Sequence, residues 1–259
     1  GDPTDKDSTR KQLTKKEVKN NLKSYTKQAS KILDMKKIKV RFNSKWLAKL
    51  TLADIVEITS EFTLQQMIER DMFEKRMAAG HPIYLHEFLY PLMQGYDSVA
   101  MNVDVEIGGN DQTFNMLMGR TMMKTRGKEK YVLTTKLLTD PTGKKMGKSE
   151  GNMVTLNDKP SEMFNKIMSW PDTLVPLAFE ICTKTTTPNN TSDPKASKLK
   201  LAFEITKLYH GEEKATASQD NWEKTFSKKE IPEDVEEVVF KKGDLLVDTL
   251  VTNKIVSSK

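Results

Sequence analysis

The chain has 259 residues, 37% of them hydrophobic and 30% charged, so it can form one large folded domain or two smaller ones. No apolar run approaches the roughly 18 residues of a membrane-spanning helix, so the sequence predicts no membrane helix. The net charge of +6 fits an anionic partner but does not identify one.

Cysteine and histidine limit the possible chemistry further. Cys182 is the single cysteine, so an internal disulfide is excluded, and we expect a buried structural thiol in a reducing compartment such as the cytoplasm. The three histidines, His81, His86 and His210, do not have the spacing of metal ligands. The sequence therefore predicts no protein-bound metal.

The chain opens on a polar turn, Gly1 to Arg10, which carries the basic residues Lys6 and Arg10. Thr14 and Glu17 then form the pattern of a capping box. Apolar residues follow at helical spacing as far as Ile32, which predicts one amphipathic helix.

Short elements are predicted next. The alternation from Val40 to Phe42 favours a short strand, and Ser44 is placed to cap a helix. Further caps at Thr51 and Thr63 predict two helices, the second ending near Gly80.

A group of polar residues follows in an otherwise apolar helical segment. Tyr90, Gln94 and Asp97 stand at positions i, i+4 and i+7, so they share one face of a helix. A phenol, an amide and a carboxylate on one face can bind a small polar ligand.

The next segment combines a strand, a glycine pair and a helix start. Val103 to Ile107 reads as an apolar strand, Gly108 and Gly109 form a turn, and Asn110 and Asp111 are placed to cap the following helix. This arrangement is suited to binding the ribose or phosphate of a nucleotide.

A lysine-rich loop, Leu138 to Asn152, follows a β-branched run, Tyr131 to Thr135, that predicts a buried strand. Lys144, Lys145 and Lys148 lie close together in this loop, which suits it to binding a polyphosphate. A Walker-type loop is the alternative, but that motif needs one more residue between its glycines and must open a helix. The spacing therefore argues against it.

From Pro160 onward the sequence predicts helices. Their apolar residues fall in three groups, the last of which starts after Asp193 and Pro194 and stops at Gly211. A further helix carries Trp222 and Phe226.

Taken together, these motifs resemble a known family. Lys145-Met146-Gly147-Lys148-Ser149 resembles the lysine signature loop of class I aminoacyl-tRNA synthetases, and Gly109-Asn110-Asp111-Gln112 resembles the ribose-binding turn of the tyrosine and tryptophan enzymes. With Gln94-Gly95-Tyr96-Asp97 and the opening Gly1-Asp2-Pro3-Thr4, the chain is similar to bacterial tyrosyl-tRNA synthetases. The resemblance implies an α/β fold, a partial Rossmann-like catalytic domain followed by an all-α domain.

The resemblance also implies roles for individual residues. Tyrosine would be bound by Asp2, Tyr90, Gln94 and Asp97. ATP would be bound by Gly109, Asp111, Gln112, Lys145, Met146, Lys148 and Ser149. The residues implied to stabilise charge on the leaving pyrophosphate are Lys145, Lys148, Lys6 and Arg10. Asp5 stands where the family usually has glycine, and Gly147 replaces the usual serine.

The implied function is tyrosine–tRNA ligase. Tyrosine and ATP would form tyrosyl-adenylate, with Mg²⁺ accompanying ATP, and tRNA(Tyr) would then accept the tyrosine. A homodimer without membrane attachment is expected. The alternatives are a tryptophanyl-tRNA synthetase and a noncatalytic RNA-binding relative.

The resemblance further implies a division into domains. Residues 1–158 would be a catalytic domain without its N-terminal part, 159–232 a helical domain of the anticodon-binding type, and 233–259 a linker with the start of an S4-like RNA-binding domain. The family's His-containing signature would precede Gly1. We therefore expect an internal fragment of a longer protein, inactive by itself.

Overall fold

The computed structural model describes residues 13–23, 25–139, 153–185, 193–227 and 245–252. Backbone contacts group the chain into two compact units, Gly1–Gly151 and Asn152–Lys259. The predicted division into three domains, with boundaries at residues 158 and 232, is finer than these two units and stays a prediction.

The first unit is mainly helical and contains a two-stranded sheet. Its helices are α1 (Lys15–Leu22), α2 (Tyr25–Ala29), α3 (Ser44–Leu47), α4 (Leu52–Ser60), α5 (Leu64–Ile68), α6 (Asp71–Ala78), α7 (Leu85–Met101) and α8 (Thr113–Thr125). Its strands are β1 (Val105–Gly109) and β2 (Tyr131–Thr135).

Three predicted helix starts are confirmed by their capping hydrogen bonds. The Thr14 hydroxyl accepts a hydrogen bond from the Glu17 amide at 3.3 Å, and the Glu17 carboxylate accepts one from the Thr14 amide at 2.7 Å. Thr51 and Thr63 form the same reciprocal pair of hydrogen bonds, a capping box, with residues three positions later. Each capping box supplies hydrogen-bond acceptors to backbone N–H groups at the helix start that have no partner within the helix.

Several predicted elements differ in the structure. The helix expected to run to Ile32 is divided into α1 and α2, and its apolar stripe is largely exposed, so packing does not support one long helix. Residues 40–42 do not form a strand. Ser44 is the first residue of α3 rather than its cap.

The helix predicted from Thr63 to Gly80 is also divided. Helix α5 ends at Ile68 and α6 begins at Asp71, because Arg70 between them has extended backbone dihedrals (φ −78°, ψ 127°). Gly80, at φ +69°, then supplies the left-handed conformation that follows α6.

Helices α7 and α8 pack closely in the centre of the first unit. A Cβ atom on Gly95 would lie 3.0 Å from the Gly119 amide nitrogen, so glycine permits this close approach. The surrounding core is built from buried side chains of α4, α5, α7 and α8: Ile58, Met67, Leu92, Met118 and Met122.

Strands β1 and β2 pair in parallel, with Val105 beside Tyr131 and Gly109 beside Thr135. Helix α8 connects them, as expected for a parallel pair. The strand prediction for 131–135 is therefore confirmed, but the prediction that it is buried is wrong. Tyr131 and Leu133 are exposed, as are Val105 and Ile107 beside them, so this face of the sheet lacks a packed layer among the described residues.

The second unit consists of helices in its described part. They are α9 (Pro160–Met168), α10 (Val175–Cys182), α11 (Pro194–His210), α12 (Glu212–Trp222) and α13 (Leu246–Thr252). Helices α9, α11 and α12 pack on one another around buried side chains such as Phe164, Leu201 and Ala215.

Two boundaries of α11 confirm their predictions. The Asp193 side chain accepts a hydrogen bond from the Ala196 amide at 3.1 Å, and Gly211 ends the helix at φ +90°. Across both units, none of the described helices is long and apolar enough to cross a membrane.

Candidate functional site

Helix α7 places the predicted polar face along one open cleft. Tyr90, Gln94 and Asp97 all line this cleft, which has a volume of about 540 Å³. Asn43 and Glu106 also line it. We call this space the α7 cleft. Its size and mixed polarity suit a small polar ligand.

Two side chains near helix α3 hold Asp97 in place. Trp46 donates from Nε1 to one carboxylate oxygen at 2.7 Å, and Asn43 donates from Nδ2 to the other at 3.2 Å. Burial raises the pKa of Asp97, with repulsion from Glu106 adding to it, while these two hydrogen bonds oppose the rise. The oriented carboxylate can accept a further hydrogen bond from a ligand hydroxyl.

Glu106 is a cleft residue that sequence reasoning missed. Its carboxylate accepts hydrogen bonds from Gln94 Nε2 at 3.2 Å and from Ser98 Oγ at 3.1 Å, and it forms an ion pair with Lys130. The available signal was a charged residue between two apolar residues of a strand, Val105 and Ile107. Trp46 and Asn43 gave no comparable signal.

The strand predicted from Val103 to Ile107 runs from Val105 to Gly109, so the prediction that Gly108 and Gly109 form a turn is wrong. The turn that follows, Asn110–Gln112, lies at the carboxyl ends of both strands. Because Gly109 pairs with Thr135, the turn and the chain entering the lysine-rich loop leave the sheet at the same edge. Ligands of open α/β sheets bind at such edges. Asn110–Gln112 forms a 3₁₀ turn that leads into α8, so the expectation that Asn110 and Asp111 cap α8 is wrong.

Contacts within this turn orient Asp111, the residue predicted to bind the ribose. A Cβ atom on Gly109 would lie 2.6 Å from Asp111 Oδ1 and 2.8 Å from Leu137 Cδ2, so a larger residue here would have to displace the carboxylate and the end of the Leu137 side chain. Gln112 accepts a hydrogen bond from Asn115 Nδ2 at 3.0 Å, which fixes its side chain next to Asp111.

The remaining predicted site residues lie outside the described part of the chain. They are Asp2, Lys6, Arg10, Lys145, Met146, Lys148 and Ser149. Among the described residues, no cluster of histidine, cysteine, aspartate and glutamate is arranged to hold a metal ion.

Comparison with known proteins gives consistent matches. The family model of class I tRNA synthetases (W and Y) matches residues 1–227. The tyrosine–tRNA ligase of Thermotoga maritima is 43% identical over the whole chain, which covers 68% of that protein. The ligase of Carboxydothermus hydrogenoformans is 45% identical over 92% of the chain, which corresponds to 61% of that protein. The chain thus spans about 61 to 68% of the length of these curated relatives.

Solved structures agree at the level of the fold. A C-terminally truncated mitochondrial tyrosyl-tRNA synthetase from Aspergillus nidulans superimposes with a TM-score of 0.65 at 24% identity, covering 87% of this chain and 73% of that one. The corresponding Coccidioides posadasii protein gives a TM-score of 0.61 at 23% identity, covering 85% and 70%. This similarity confirms the predicted α/β class with its partial Rossmann-like domain.

Proposed function

This chain belongs to the class I tRNA synthetases, in the family of the tryptophan and tyrosine enzymes, and we propose that the protein activates tyrosine with ATP and transfers it to tRNA(Tyr). The observation that carries the proposal is the α7 cleft. There Asp97 shares a helix face with Gln94, and two hydrogen-bond donors from outside α7, Trp46 and Asn43, orient its carboxylate. The curated relatives are tyrosine–tRNA ligases, which does not favour the tryptophan alternative.

Tyrosine would occupy the α7 cleft. Asp97 would accept the hydrogen bond of the phenolic hydroxyl, while Gln94, Tyr90 and Asp2 would bind the ammonium group. A site that pairs its buried groups with a substrate hydroxyl can reject the analogue lacking it by about 10⁵-fold, because those groups are otherwise left unpaired. Phenylalanine would be excluded on this ground.

ATP would bind at the carboxyl edge of the sheet. Asp111 would accept hydrogen bonds from the ribose, with Gly109 and Gln112 beside the adenylate. The lysine loop, with Lys145, Met146, Lys148 and Ser149, would cover the phosphates, and Mg²⁺ would arrive with ATP rather than in a protein cage.

The activation of tyrosine by ATP requires no covalent intermediate with the enzyme. A carboxylate oxygen of tyrosine attacks the α-phosphorus, and the bond to the pyrophosphate oxygen breaks with its electron pair going to pyrophosphate. Lys145 and Lys148, with Lys6 and Arg10, would stabilise this developing charge more than the ground state. A hydroxyl of the terminal ribose of tRNA then attacks the carbonyl carbon of tyrosyl-adenylate, forming the ester, and the bond to phosphate breaks with AMP as the leaving group.

Assembly and location follow the same proposal. The net charge of +6 and the helical second unit support tRNA binding. We also propose a homodimer, as the family resemblance implies, in which a second copy would cover exposed apolar side chains of the first unit such as Leu85, which is 84% exposed, and Leu52, which is 80% exposed. We propose a cytoplasmic location.

Pyrophosphate exchange tests the proposed function. The protein in its natural full length would be assayed with tyrosine, tryptophan and phenylalanine in parallel. Exchange with tyrosine alone supports the proposal, and exchange with tryptophan would assign the other branch of the family. Tight tRNA binding by a folded protein without any exchange would favour a noncatalytic RNA-binding role.

The Asp97→Asn substitution should reduce recognition of the phenolic hydroxyl. The amide would present a donor to Asn43 or to the substrate, so one hydrogen bond to a charged group is lost. We expect the KM for tyrosine in exchange to rise by about 10- to 100-fold, with little change for phenylalanine. Asp104→Asn, at an exposed carboxylate, is the matched control. An unchanged tyrosine KM would remove Asp97 from the proposed site.

The Gly109→Ala substitution should weaken ATP binding selectively. The new methyl group would displace the Asp111 carboxylate, although the backbone at φ −65° accepts alanine. We expect the KM for ATP to rise by about 10-fold while the KM for tyrosine is unchanged. Gly108→Ala, which meets only the flexible end of Met116 and Gln112 Cβ, serves as the control. Equal effects of both variants on ATP would contradict this assignment.

A further inference from the structure

A buried ammonium group lies beneath the α7 cleft. The side chain of Lys130, immediately before β2, is 0% exposed. Its Nζ donates to the Met116 carbonyl oxygen at 3.0 Å and forms an ion pair with Glu106. A buried ion pair is often no more stabilising than apolar residues of the same volume, so stability alone does not account for this one.

The close packing of α7 and α8 is shaped around this pair. A Cβ atom on Gly119 would lie 2.6 Å from Lys130 Nζ and 2.7 Å from Ser98 Oγ. Glycine at this position therefore leaves the space through which Lys130 reaches Glu106. On the side of α8, the Lys130–Glu106 pair therefore faces the backbone at Gly119 rather than solvent.

Glu106 connects the pair to the ligand side. Its side chain is 21% exposed, and its two oxygens divide their partners: Oε2 meets Lys130 and Ser98, and Oε1 accepts from Gln94 Nε2. A carboxylate accepts hydrogen bonds but cannot donate them, so it selects the NH₂ end of the Gln94 amide. The carbonyl oxygen of Gln94 is then the end that remains to accept from an ammonium group.

We infer that the buried Lys130–Glu106 ion pair is a positioning device that orients the Gln94 amide for binding the substrate ammonium. Lys130 itself does not line the cleft and acts only through Glu106. The inference rests on the proposed function for the identity of the ligand, tyrosine. The orientation of Gln94 does not depend on that identity.

Kinetics of Lys130→Met test the effect on binding. Losing the counterion leaves Glu106 free to move, so we expect the KM for tyrosine to rise by about 10-fold, with the KM for ATP and the rate at saturation unchanged. Lys128→Met removes a neighbouring lysine whose partners, Asp104 and Asn102, are at the surface, and should have no effect. Breaking the buried pair lowers the melting temperature in either case. A purely structural role would instead change the KM values for tyrosine and ATP alike. A folded Lys130→Met protein with normal tyrosine KM overturns the inference.

Two double variants keep the test decisive if Lys130→Met does not fold. Lys130→Met with Glu106→Gln removes both charges but keeps an acceptor for Gln94, whereas Lys130→Met with Glu106→Leu removes the acceptor as well. We expect the tyrosine KM to rise by about 10-fold in the second and by clearly less in the first, which loses the ion pair but keeps the acceptor for Gln94. Equal tyrosine KM values in the two would overturn the inference.

A spectroscopic readout separates this inference from the proposed function. The side-chain NH₂ resonances of Gln94, assigned through Gln94→Glu, should shift in Lys130→Met, and in the two double variants, but not in Lys128→Met. Unshifted resonances overturn the inference whether or not the protein activates an amino acid. Failure of the unsubstituted protein to exchange pyrophosphate with tyrosine would overturn the proposed function alone.

Discussion

Replacing Lys148 with alanine is expected to lower tyrosine-dependent pyrophosphate exchange by about 10²- to 10³-fold, the effect of removing one donor to a developing negative charge. The charge appears on pyrophosphate only as the phosphorus–oxygen bond breaks. Lys148 should therefore contribute in the transition state and little in the ground state, so the rate at saturation falls while the KM for tyrosine is nearly constant.

The same loop supplies a matched control for Lys148. Lys144 carries the same charge but precedes the segment that resembles the signature loop. Lys144→Ala removes the same charge from the loop, so a general electrostatic effect on ATP would lower exchange equally in both variants. The proposed role requires a much larger loss for Lys148, measured by exchange at saturating tyrosine and ATP. Equal losses would contradict a specific role in charge stabilisation.

Local chemistry explains which features were predictable from sequence. The capping boxes that begin at Thr14, Thr51 and Thr63 join residues three positions apart, so the residue types alone predict them. The shared face of Tyr90, Gln94 and Asp97 follows from helical periodicity, which packing cannot alter once α7 forms. Short-range geometry is therefore enough to bring these three side chains together.

Contacts distant in sequence explain what was missed. Trp46 and Asp97 are 51 residues apart, and Lys130 and Glu106 are 24 apart, so no spacing rule relates them. The burial of β2 was wrongly predicted because a β-branched strand is buried only when another layer covers it. Exposure of Tyr131 and Leu133 is therefore a property of the tertiary packing and not of the strand itself.

The Arg76–Glu87 ion pair is buried in the first unit, so removing one of its partners should be strongly destabilising. Arg76 binds the Glu87 carboxylate through two hydrogen bonds, of 2.7 and 3.0 Å, and also donates to the Pro82 carbonyl oxygen. The two side chains are only 2% and 4% exposed. Glu87 additionally accepts a hydrogen bond from the Tyr84 amide at 3.0 Å, at the start of α7. The pair thus joins α6 to the helix that carries the cleft residues.

Arg76→Met is expected to lower the free energy of unfolding of this unit by about 3 to 5 kcal/mol, because it leaves the Glu87 carboxylate buried without its counterion. Urea unfolding followed by Trp46 emission, with Trp170 and Trp222 replaced by phenylalanine, reports on the first unit. Lys75→Met, at an exposed position of the same helix, is the control. Adding Glu87→Leu to Arg76→Met removes the stranded charge and should recover much of the loss. If the double variant is as unstable as Arg76→Met alone, the loss arises from packing of the arginine rather than from the buried charge.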